Sequence, residues 1–203
     1  MLYRTVACLY VAASLGLRSH ALAAEPRAGT VTLDPARTII QFSLPGALHD
    51  THGTFKLTQG TIAADPTTST ANGSVVIDAT SGDSQMPSRD ANMNREVLES
   101  SKYPTIVFTA RHVTGSLGED GYFSAHLDGT LLIHGMEHPQ GIDLQGKLVG
   151  NELTAHTHFV IPYVAWGMKD PGILFLSVAK QVDLDVTAVG HVAWDAPAHS
   201  SAH

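Results

Sequence analysis

A two-residue period constrains this chain more than any other feature. Over residues 181–188, Val182, Leu184, Val186 and Ala188 fall on one side, and Gln181, Asp183, Asp185 and Thr187 on the other. Successive side chains of a strand point to opposite faces, so this segment reads as a strand with one apolar and one wet face. Residues 152–161 repeat the pattern and bring Leu153, Ala155, Thr157, Phe159 and Ile161 together. Residues 38–44 gather Ile40, Phe42 and Leu44, and residues 54–58 gather Phe55 and Leu57. Further short β-rich runs lie at 74–78, 105–111, 122–127 and 130–134, punctuated by glycines such as Gly53, Gly60, Gly73, Gly121, Gly129, Gly146 and Gly150. Many short strands separated by turn residues predict an all-β antiparallel sandwich or barrel.

One segment departs from the period. Residues 88–100 (SRDANMNREVLES) hold helix formers and no β-branched run. Ser88 is the expected cap, Asp90 sits near the positive terminus, and Met93 and Val97 share a face. The Tyr103-Pro104 pair ends the helix, because proline disfavours a helical residue before it. Arg89 and Asp90 read as an ion pair at the helix start, and Lys169-Asp170 as a turn before Pro171. The stretch 194–203 reads as a disordered polar tail.

The amino terminus places the domain. Arg4 precedes an uncharged, mostly apolar run over residues 5–17, and Ala21-Leu22-Ala23 supplies a small-x-small site. This is the layout of a secretory signal peptide, cleaved after Ala23. The run is shorter than the roughly 20 residues of a membrane-spanning helix. Removal of these 23 residues from 203 leaves 180, takes away the one cysteine, Cys8, and moves the net charge from −7 to −9 with the loss of Arg4 and Arg18. An exported domain without disulfides relies on its core alone, and a chain of this length buries enough surface to do so. The acidic balance speaks against a nucleic-acid partner, which needs a basic footprint.

Chemistry-bearing residues are sparse apart from the histidines. There is no G-x-S-x-G elbow, H-E-x-x-H helix or phosphate-binding glycine loop, and nothing else points to an enzyme. His49 and His52 are three apart, His134 and His138 four apart, and His156 and His158 share a strand face with Glu152. A same-face His-x-His pair plus a third ligand is one way for a β-protein to hold zinc, with Asp50 and Glu137 orienting imidazoles from behind. These six histidines are the alternative site. The alternative to a metal is that they are polar residues at turns and on a wet face.

The apolar faces offer another reading. A closed sheet of about eight strands encloses side chains that either fill a dry core or line a space for one small ligand. Periodicity does not separate the two. The candidate lining is Phe42, Leu44, Phe55, Ile77, Phe108, Leu132, Phe159, Ile161, Tyr163, Trp166 and Leu184, with residues 162–167 as a plug or lip at one end.

The order of motifs resembles the YceI-like family from about Gly29 to Gly190. The matching residues are Asp34-Pro35, Ile40-Gln41-Phe42, Gly53-Thr54-Phe55, Asp78-Ala79 and Ser88-Arg89-Asp90. They continue with Leu98-Glu99-Ser100-Ser101-Lys102-Tyr103-Pro104, Ile106, Phe108, Gly129-Thr130-Leu131 and His134-Gly135. The resemblance implies a lipocalin-like barrel over residues 24–193 that holds an isoprenoid chain, of a quinone or a polyprenyl lipid, without metal or cofactor, in the periplasm or the medium. The chain departs from the family at Tyr163–Pro171, where an Arg near an Asp-Phe-Gly turn is usual. The His49–His52 cluster and Glu137-His138 also make it richer in histidine.

Overall fold

The computed structural model describes residues 27–172 and 178–196; the expected signal segment and the stretch from 197 onward lie outside them. Nine strands follow in order: β1 (Gly29–Leu33), β2 (Ile39–Leu44), β3 (Thr51–Asp65), β4 (Thr70–Asp83), β5 (Thr105–Leu117), β6 (Tyr122–Ile133), β7 (Met136–Val149), β8 (Glu152–Ile161) and β9 (Val182–Trp194). Trp194, placed in the tail by composition, instead closes β9 against Gly29.

Every pairing is antiparallel, and the sheet closes on itself. β3 through β9 pair in sequence, and β1 and β2 each pair with both β3 and β9. β1 matches residues 61–64 and 190–194, whereas β2 matches 51–55 and 183–187. The two short strands are therefore halves of a single stave, and nine strands make an eight-stave barrel. The excursion between them is built at Asp34-Pro35. The Asp34 carboxylate accepts from Ala36 N at 2.9 Å, and its carbonyl accepts from Thr38 N at 2.9 Å. Pro35 has no N–H with which to continue a ladder. Closure leaves few free edges for another chain to pair with.

The connections follow local chemistry. At the β3–β4 turn the Asp65 carboxylate accepts from Thr67 N at 2.9 Å and from the hydroxyls of Thr67 and Thr68 at 2.5 and 2.8 Å. The hydroxyl bonds, that of Thr67 first, hold its carboxyl below the ordinary value. His134 and Gly135 join β6 to β7 with φ of 50° and 74°, the positive pair that a two-residue hairpin turn requires. A methyl group at Gly135 would meet the Tyr103 ring.

The predicted helix is present with shifted bounds and a different start. It comprises α1 (Pro87–Asn92), which runs directly into a π-helical turn, Met93–Val97. Pro87 presets the first turn, so the cap position falls on Met86, with no side-chain cap. Ser88 does not cap. Asp90 instead accepts from Ser84 N at 2.9 Å and Ser84 Oγ at 2.6 Å, which anchors α1 to the end of β4.

One seam of the barrel is incomplete. β7 pairs with β8 only over residues 145–149 against 152–156. Beyond that point β7 continues on β6 alone, as far as Met136, and β8 continues on β9 alone. Pro139 lies in the unpaired half of β7 and offers no N–H toward β8. Among the described residues no helix is long and apolar enough to cross a membrane.

Candidate functional site

Inward-facing side chains of the staves do not fill the barrel. They line two chambers, of about 280 and 310 Å³. Ile40, Ile77, Leu131, Phe159 and Val186 belong to both and form a waist between them. The chamber nearer the helix is walled by Phe42, Leu44, Phe55, Ile161 and Leu184 and is overlain by Met93, Val97 and Leu98. The other is walled by Leu57, Phe108, Phe123, Leu127, Leu144 and Ala155. Among the described residues no acidic side chain lines either one, and the charged residues in the lining are Arg89 and Arg27, one in each.

Glycine keeps the space open. Phe42 packs against Gly53, Phe55 against Gly82, Phe108 against Gly129 and Phe123 against Gly146, and a Cβ at any of these glycines would collide with the facing ring. Phe42 and Gly53 are direct cross-strand partners, as are Phe123 and Gly146. Each ring occupies room that a side chain on the neighbouring strand would have taken, as in the pairing of aromatic residues with sheet glycines.

Of the candidate lining residues, Phe42, Leu44, Phe55, Ile77, Phe108, Phe159, Ile161, Tyr163 and Leu184 line the chambers. Leu132 does not; its neighbours Leu131 and Ile133 face inward, and alternation turns Leu132 out. Trp166 does not either; it packs against the core and stacks on His138, which shares the inward face of β7 with Ile142, with ring centroids 4.0 Å apart. Tyr163 donates its hydroxyl to Ala179 O at 2.8 Å, and burial, with Asp170 secondary, pushes its pKa up to about 12. The Thr157 hydroxyl faces the larger chamber and is buried without a hydrogen-bond partner.

The histidines do not come together. Among the described residues no three His, Cys, Asp or Glu side chains are placed to share a metal ion. His156 and His158 share the outer face of β8, as their spacing predicts, but His156 meets Thr187 Oγ1 at 3.1 Å, and His158 meets Asp185 at 3.0 Å and Asp183 at 3.5 Å. Glu152, the expected third ligand, pairs with Arg37 at 2.5 Å. His52 bonds Ser43 Oγ at 2.8 Å, His134 lies 3.3 Å from Glu99, His138 stacks on Trp166, and His49 is exposed. Asp50 accepts from Gly46 N at 3.2 Å rather than orienting an imidazole. The metal reading has no support in this arrangement, because alternation places His52, His156 and His158 on the outer wall and His138 on the inner face of β7, while His49 and His134 lie in connections.

The sequence reading also missed two residues. Arg89 makes no ion pair with Asp90, whose carboxylate is engaged by Ser84. Arg89 lines the helix-side chamber together with Asn92, three residues on along the same helical face. The signal was available: if Asp90 caps a neighbouring loop, Arg89 is left to another task.

Residues 31–189 match the family model of the YceI-like domain. Solved structures share the fold at low identity. BcnA of Burkholderia cenocepacia is 17% identical, with 77% of this chain and 98% of that chain covered and a TM-score of 0.62. A polyisoprenoid binding domain from Saccharophagus degradans, implicated in plant cell wall breakdown, is 14% identical over 80% of this chain and 98% of that one, also with a TM-score of 0.62. A Campylobacter jejuni YceI protein is 16% identical over 68% and 80%, with a TM-score of 0.50. No curated protein matches the chain in sequence.

Proposed function

The chain belongs to the YceI-like domain family, and we propose that it is a lipid-binding barrel whose lumen takes an isoprenoid chain, that of a quinone or a polyprenyl lipid. One observation carries this reading: the two apolar chambers meet at a waist and form a long space walled by hydrocarbon. Burial of a long apolar chain contributes roughly 25 cal/mol per Å², so affinity needs few polar contacts. A solved structure of the same fold is a polyisoprenoid binding domain, which supports the choice of ligand class. Binding is favoured over catalysis because no nucleophile–base pair or metal cluster stands in the lining among the described residues. The amino-terminal pattern supports export, to the periplasm or the medium.

Extraction of the purified protein with organic solvent, followed by mass spectrometry, tests the ligand. An isoprenoid lipid is expected at near-stoichiometric yield, and purified farnesol should displace a hydrophobic fluorescent probe. No lipid and no probe binding would overturn the reading. Amino-terminal sequencing of the protein from its native host tests export, with Ala24 expected first.

A further inference from the structure

Arg89 is the one lysine or arginine among the described residues that is not exposed. A guanidinium drawn against an apolar wall is costly unless an anion, an acceptor or water compensates it. Most other cations near a partner have one: Arg37 pairs with Glu152, Arg95 and Lys169 pair with Glu96, and Lys102 and Lys147 lie over tyrosine rings. Arg89 makes no ion pair or side-chain hydrogen bond among the described residues, and Asp90 is held by Ser84. The Asn92 side chain, also half-buried, makes no hydrogen bond among the described residues either, and both residues line the same apolar chamber. A guanidinium fork and an amide thus stand without partners among the described residues, in the wall of a hydrocarbon-lined space.

We propose that Arg89, assisted by Asn92, binds the anionic head group of the lumen's lipid, a phosphate ester or a carboxylate, and so selects acidic amphiphiles over neutral ones. The proposal rests on the lipid-binding reading and deepens it. A planar guanidinium gives two parallel N–H bonds to such an oxyanion, and charge-assisted bonds of this kind are the strong ones. The chain's net charge of −7 repels anions in general, so the local cation has to make the selection.

Farnesyl phosphate and farnesol share one chain and differ in the head group, which makes them the test pair. Binding is measured by calorimetry on the full mature protein and on Arg89→Gln and Arg89→Lys variants. Wild type should bind farnesyl phosphate at least about tenfold more tightly than farnesol, with a preference that shrinks as salt is raised. Arg89→Gln should abolish the preference, leave farnesol affinity within about twofold and leave the melting temperature unchanged, because the guanidinium supports no other group. Arg89→Lys should restore part of the preference. Equal wild-type affinity for the two ligands, or a preference that survives Arg89→Gln, would overturn the assignment while leaving the lumen reading standing. Failure of wild type to bind either ligand would overturn both.

Discussion

The rings of His138 and Trp166 lie parallel, 3° apart in plane and 4.0 Å apart between centroids. His138 belongs to the half of β7 that has no ladder to β8, and Trp166 to the turn that follows β8. The stack therefore bridges the open part of the seam on its inner side, where backbone hydrogen bonds are absent.

Its removal should loosen that seam. Trp166→Ala is expected to cost about 0.5–1.5 kcal/mol beyond the lost area, the usual range for a stacked ring pair. Hydrogen exchange read residue by residue should quicken in residues 157–161 of β8 and in the neighbouring lip, and stay unchanged in β4 and β5. A uniform change across the barrel would count against a local bridge.

The waist makes a separate prediction about ligand length. Val186 lies in both chambers and is only half buried, so a larger side chain can project into the open space. Val186→Trp should weaken a ligand long enough to cross the waist by more than about tenfold. A ligand short enough for one chamber should keep its affinity, because about 1.4 kcal/mol of lost apolar contact is a factor of ten. Equal losses for both lengths would show that the chambers do not act in series.

On the outer wall His126 stands between Asp143, at 2.6 Å, and Asp128, at 3.2 Å. The hydrogen bond to Asp143, then that to Asp128, raises its pKa above 6.5. A raised folded-state pKa means that the contribution to stability is fully present below pH 6.5 and is lost as pH rises through the raised value. Proton NMR of the imidazole should show the raised midpoint, and Asp143→Asn should bring it back toward 6.5. An unchanged midpoint in that variant would remove Asp143 as the cause.

Glu96 ties the π-helical turn Met93–Val97 to the segment just beyond the lip. Its carboxylate meets Arg95 Nε at 2.8 Å and Lys169 Nζ at 2.6 Å, and the bond from Arg95 and then that from Lys169 hold its pKa down to about 2. Here the folded pKa is lowered from 4.5, so the contribution is present above 4.5 and is lost as pH falls toward 2. Lys169→Ala should raise the midpoint seen by carbon-detected NMR, though not fully to 4.5, because Arg95 remains. A midpoint that does not move would mean that Lys169 does not hold Glu96 in solution.

How much of this was legible varied with the local pattern. β8 and β9 alternate without interruption, and their inward faces could be read residue by residue. Residues 130–133 read Thr-Leu-Leu-Ile, which has no alternation to assign a face, so Leu132 was placed on the wrong side of β6. Trp166 misled for another reason: an apolar ring signals burial against something, and here it is buried against His138 and the core at the open seam without lining either chamber. The halves of the shared stave, β1 and β2, look like two independent strands, because only the pairing with β3 and β9 reveals that they lie end to end. Arg89 was hidden by its neighbour, since adjacent opposite charges suggest a pair although their side chains diverge along a helix.

The phenyl rings resting on Gly53, Gly82, Gly129 and Gly146 have a consequence for how such a barrel changes over evolutionary time. A methyl group at any of these positions would displace a ring that lines a chamber, while the methyl itself stays behind that ring. Bore is thus set one layer back from the contact surface. The girth of the lumen can be retuned by residues behind its wall, with the lining side chains left as they are.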